Sequence, residues 1–165
     1  MEFLDAIKKL DDSEDIKRWK NDHPEMYLVH GFTMLGNNKE DPMNWQIGYY
    51  DTKHDKITPI ELGIGINIGA PQQAFKKNES IDKLNLEKVK ITAKKAIDEA
   101  EKIRLEKYTH ETPAKIFIVI QNLRKEGQVW NITIATKTMN TINIKIDAET
   151  GEIKSVKTEN FIQVK

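Results

Sequence analysis

The chain has 165 residues, in which 26 Lys and Arg balance 26 Asp and Glu, and it contains no cysteine. That length can bury a core without metal or disulfide support, and the missing cysteine excludes disulfides, thiolate nucleophiles and Cys-based zinc sites. The longest apolar runs, such as IFIVI, are far too short to cross a bilayer, and MEFLDAIKKL lacks the cationic start and apolar centre of an export signal. The expectation is a soluble cytoplasmic protein without membrane insertion, or an extracellular one if an export signal has been removed.

The balanced charge is unevenly spread. Residues 1–82 carry 10 basic against 15 acidic side chains and residues 83–165 carry 16 against 11, so the halves stand at −5 and +5. Complementary halves favour packing on each other. The positive half has no dense basic patch interleaved with aromatics, so nucleic acid is not expected as a partner.

In chain order, Phe3, Leu4, Ile7 and Leu10 recur at helical spacing, and DDSEDIKRWK offers Ser13 as a helix N-cap followed by Glu14 and Asp15. Pro24 closes this helical region. YLVHGFTML then reads as a strand, GNNKEDP as its turn, and NWQIGYY as a strand with Trp45, Ile47 and Tyr49 on one face. After the turn DTKHD, IELGIGINIG reads as one long strand whose inner face carries Ile60, Leu62, Ile64, Ile66 and Ile68. Residues 70–85, APQQAFKKNESIDKLN, are polar and aperiodic, and read as a linker. From Leu86 to Lys107 a stripe of Val89, Ala93, Ala96, Ile97, Ala100 and Ile103 predicts a helix lying on a sheet. KIFIVIQNL, QVWNITIATK and TINIKID follow as strands, the latter two placing Trp130, Ile132, Ile134 and Ile142, Ile144, Ile146 inward.

IDAETGEIKSV (146–156) and YDTKHDKITPI (50–60) share an Asp after a strand and an Ile six positions beyond it. Gly151 takes the left-handed turn position in one, and Asp55 stands at the matching place in the other. The chain therefore reads as an α+β protein of two related halves, each an antiparallel sheet with a helix on one face: residues 1–69, a linker at 70–85, and residues 86–165. On this alignment the second half holds an extra strand between its Trp strand and its Asp turn.

ITAKKAIDEAEKI, VWNITI and INIKIDAETGEI together resemble the PepSY domain: an Ala-rich helix, a strand led by Trp, and a strand ending in an Asp-x-x-Thr-Gly-x-Ile turn. The resemblance covers roughly residues 86–157, with a more divergent copy in the first half. It implies a small α+β domain of cystatin-like kind, associated with binding or restraining peptidases.

Catalytic and metal patterns are thin. His23, His30, His54 and His110 include no i, i+4 pair, and Ser13, Ser80 and Ser155 include no G-x-S-x-G elbow. No catalytic residue, metal or cofactor is expected. GIGINIG lacks the Lys-Ser/Thr ending of a phosphate loop, and instead places Gly63, Gly65, Asn67 and Gly69 on the face opposite the isoleucines. Such a bare strip suits either close internal packing or a binding groove. Trp45 and Trp130 read as core, while Tyr50, facing away from the Trp45 stripe, reads as an exposed contact. The expected function is a non-catalytic module binding a protein or peptide through a sheet face or edge. Two alternatives stay open: a ligand-binding or enzymatic pocket between the halves near Asp51, His54 and Asp55, and an assembly subunit that self-associates through edge strands.

Overall fold

The computed structural model describes residues 1–74 and 81–160. Two short helices, α1 (Phe3–Asp11) and α2 (Glu14–Asp22), lead into strands β1 (Met26–Leu35), β2 (Gln46–Asp51), β3 (Lys56–Leu62), β4 (Ile66–Ile68) and β5 (Gln72–Gln73). Helix α3 (Ala93–Lys107) precedes β6 (Pro113–Leu123), β7 (Gly127–Thr136), β8 (Asn140–Asp147) and β9 (Ile153–Asn160). All nine strands belong to one antiparallel sheet of order β4-β3-β2-β1-β6-β7-β8-β9, with β5 also pairing β3. The architecture is α+β, as the strand and helix periodicities require.

Period-two alternation in the strands sends one set of side chains inward. Ile47, Ile60, Ile116, Ile118, Ile120, Ile132, Ile134, Ile142, Ile144 and Ile146 are all at most 1% exposed. They share a cluster with Phe3, Ala6, Ile7 and Leu10 of α1 and with Ala93, Ala96, Ile97 and Ala100 of α3. Small alanines on α3 leave room for the branched strand residues beneath them. The Phe3 ring sits edge-on to both tryptophans, with centroids 5.4 Å from Trp45 and 6.1 Å from Trp130. Gly31 is what admits it, because a Cβ there would collide with the Phe3 ring.

Each tryptophan also ties a helix start to its strand. Trp45 Nε1 donates to the Met1 carbonyl (2.9 Å) and Trp130 Nε1 to the Ile91 carbonyl (2.9 Å), in each case two residues before the first helical residue. Helix α3 begins at Ala93, later than its apolar stripe predicts. Leu86–Lys88 form a separate 3-10 turn, and Thr92 is the N-cap, its hydroxyl accepting from Lys95 N at 3.1 Å. The Glu2 carboxylate completes the cap by accepting from Ala93 N (2.8 Å) and Lys94 N (3.1 Å). Val89 is buried all the same, outside the helix.

Further expectations are corrected. IELGIGINIG is two strands: the chain bends at Gly63–Gly65, Leu62 pairs with Ile66, and Ile64 stands fully exposed at the tip. A reversal that pairs residues four apart keeps them on one face, so the alternation runs through the bend unbroken. The extra strand of the second half therefore disappears, since β1 to β4 on one side of the β1–β6 seam face β6 to β9 on the other. The Asp turns accordingly occupy different hairpins, β2–β3 for Asp51 and β8–β9 for Asp147.

The segment 70–85 is more than a linker. Gln72–Gln73 pair with β3, Ala74 is buried, and Leu84 enters the main core with its N–H on the Leu28 carbonyl. Residues 75–80 lie outside the described residues. Finally, Tyr50 is buried at 4% exposure, in a second cluster with Val29 and Ala74 that Tyr27, Ile57 and Ile81 flank. Its hydroxyl donates to Asp55 Oδ1 at 2.6 Å, so the residue that faces away from one core lands in another.

Candidate binding surfaces

Among the described residues, the helices pack against the inward face of the sheet and leave part of the opposite face exposed. Along β1 and β6 that face presents Phe32, Met34, Phe117 and Val119, with Phe32 paired to Val119 and Met34 to Phe117. Towards β7 and β8 it becomes polar, where Asn143 Nδ2 donates to Asn131 Oδ1 (2.6 Å) and Thr133 Oγ1 (2.9 Å). On the β4 side, a groove of about 570 Å³ runs past Phe32, Met34, Gln46 and Glu61 to the Gly63–Gly65 tip and Asn67.

This groove gathers Gly63, Gly65 and Asn67, three of the five residues singled out by sequence. A Cβ at Gly63 or Gly65 would meet nothing within 4 Å, so neither is packed under another element. Neither has a positive φ. Gly69 is different: its N–H donates to the Pro59 carbonyl (2.8 Å), and a Cβ there would press on the Pro59 ring at 2.9 Å. Tyr50 lies away from the groove in its own cluster. Met34 and Phe32 are what sequence reading passed over, although their alternation along β1, repeated by Phe117 and Val119 on β6, is the signal of a second apolar face.

Asp51 and His54 do meet. His54 Nδ1 lies 2.7 Å from Asp51 Oδ2, while Asp51 Oδ1 accepts from Lys53 N (2.8 Å) and His54 N (3.2 Å). The His54 ring and these backbone donors hold the Asp51 carboxyl below the usual range. They line a cleft of about 410 Å³ with Trp19, His23, Lys56 and Thr58, which lies wholly within the first 71 residues rather than between the halves. Asp147 is built alike, with Oδ1 accepting from Glu149 N (2.9 Å) and Thr150 N (2.8 Å). Both carboxylates serve as turn acceptors, and Asp55 (φ 54°) and Gly151 (φ 79°) supply the left-handed residue in each turn. Among the described residues, no group of three or more His, Asp or Glu is placed to hold a metal, and no helix is long and apolar enough to cross a membrane.

No family model matches the chain, and no curated protein matches it. Among solved structures it is similar to a candidate lipoprotein from Clostridium difficile 630, with a TM-score of 0.53 and 14% identity over 88% of this chain and 91% of that one. Identity that low carries the architecture alone: the chain shares an α+β fold with that protein along nearly its whole length.

Proposed function

We propose that the protein is a non-catalytic binding module, made of two diverged PepSY-like units, that receives an extended segment of a partner protein in the groove beside Gly63–Gly65. The observation that carries this reading is Ile64. A large aliphatic side chain stands wholly in water between two glycines that neither packing nor backbone conformation requires. Exposed apolar side chains grouped around a groove mark interaction sites on soluble proteins, and here Ile64 joins Met34, itself 47% exposed. The groove runs along β4, an edge strand that among the described residues pairs on one side only, so its outer backbone groups can add a strand from a partner.

Support for the two units comes from what lies on either side of the β1–β6 seam. Four strands run outward in each direction, each side has a Trp on its second strand or immediately before it, and each Trp N–H binds the carbonyl two residues before a helix. The PepSY resemblance extends the reading to a peptidase as the partner. A peptidase whose rate is unchanged by excess protein would count against that extension.

The test is selection of displayed peptides on the intact protein, followed by titration against Ile64→Asp. The substitution touches no packed group, so the melting temperature should hold while peptide binding falls by about tenfold or more. Peptides that bind both forms equally would remove the groove from the function.

A further inference from the structure

We infer that a second, separate site between α2 and residues 83–86 binds a small flat carboxylate. The cavity there has a volume of about 330 Å³, at the lower end of the range that takes small-molecule ligands. It arises because α2, EDIKRWKND, fully buries only Ile16. Trp19 consequently reaches over the sheet rather than into it. Its ring lies edge-on to Tyr49 (5.4 Å between centroids, 72°) and nearly face-on to His23 (5.0 Å, 32°), leaving aromatic surface along one wall. Leu28 and Leu84 form the apolar floor.

Two cations border this aromatic pocket. Lys20 Nζ is fixed between Asp11 Oδ1 (2.6 Å) and the Tyr49 ring (5.2 Å to the centroid). Lys83 also lines the cavity and makes no ion pair among the described residues. With Asp11 as the one acid in the lining against Lys20 and Lys83, the cavity carries a net positive charge. A flat ring would lie against Trp19, and its carboxylate would take hydrogen bonds from Lys83 and from the Lys20 protons not held by Asp11. The same geometry disfavours a cation, which would meet both ammonium groups.

The experiment is an amide and indole N–H chemical-shift titration of the full chain with benzoate, 4-hydroxyphenylacetate and indole-3-acetate, with tryptamine and 3-methylindole as cationic and neutral counterparts. At least one carboxylate should give saturable shifts at the Trp19 indole and at the Lys83 and Leu84 amides, and the cationic and neutral counterparts should bind about tenfold more weakly. Because Trp19→Leu risks loosening α2, the deciding variant is Lys83→Gln. It should weaken carboxylate binding about fivefold or more while leaving the rest of the spectrum in place. No saturable shift with any of the three carboxylates, equal binding of the three charge types, or undiminished affinity in Lys83→Gln would each overturn the site.

Discussion

Gly63 and Gly65 differ from Gly31 and Gly48, whose missing side chains make room for the rings of Phe3 and His30. With open space around it and no positive φ, Gly65 can accept a branched residue that suits extended chain. Gly65→Val should therefore leave the melting temperature unchanged or raise it while blocking the groove. A fall of several degrees would show that the tip needs glycine for folding. His30 makes a second prediction at this scale. Burial pushes its pKa down, so the unfolded chain binds a proton near pH 6.5 that the folded chain refuses. The sign follows: the stability contribution is complete above about pH 6.5 and declines as pH falls from there towards the lower folded pKa. Urea midpoints at pH 7.5 and 5.5 should differ in the wild type and differ less in His30→Gln. An equal drop in both would assign the effect to other groups.

Among the elements, the two Asp turns rest on a device that helices use at their N-caps, a carboxylate accepting consecutive backbone N–H groups. Burial pushes the Asp147 carboxyl up, but the Thr150 and Glu149 donors outweigh it and hold it below its ordinary value. Asp147→Ala should cost about 1–2 kcal/mol by chemical denaturation, and Asp147→Asn less, because an amide oxygen still accepts. Equal losses would show that charge rather than hydrogen bonding matters there. With Asp51 also lowered, stability from both turns is present above about pH 4 and is lost as acid protonates them.

These turns were legible because Asp and Gly announce turn chemistry locally, as Ile132–Ile134 and Ile142–Ile146 announce an inward face. The hairpin at Gly63 was not, since Leu62 and Ile66 share a face whether the chain reverses or runs straight. Nor was the cap on α3, because Glu2 reaches it from ninety residues away. Of the groove, the glycines could be found by pattern, whereas the apposition of Phe32 and Met34 with them depends on strand order that no local spacing encodes.

For the molecule as a whole, a single core cluster draws on both halves, with Phe3 touching Trp130 and Glu2 capping α3. The segment 83–165 has its own helix and four strands, yet alone it would expose the β6 edge and lose Phe3 from above Trp130. Expressed by itself it should aggregate or give a broad, noncooperative melt, and a sharp monomeric transition would establish it as autonomous. In the intact chain, Trp130→Ala should cost about 3–5 kcal/mol, as for other buried aromatic deletions, measured by urea unfolding. Trp130 also contacts Trp45 (6.1 Å between centroids), so combining it with Trp45→Ala should give a non-additive loss.

The β1–β6 seam has a kinetic corollary. Every other pairing along the sheet joins strands that neighbour each other in sequence or lie a short loop apart, but the seam pairs Leu35 with Ile116, some eighty positions distant. Closing so long a loop must precede any reward from the contact. The β6–β9 meander can form early from local turns, and β1, although it can pair with β2 at once, keeps its other edge open until β6 has been made. During synthesis the open edge of β1, with Phe32 and Met34 on one face and Leu35 on the other, should thus be the surface most exposed to misassociation, and its zippering to β6 the step expected to set the folding rate.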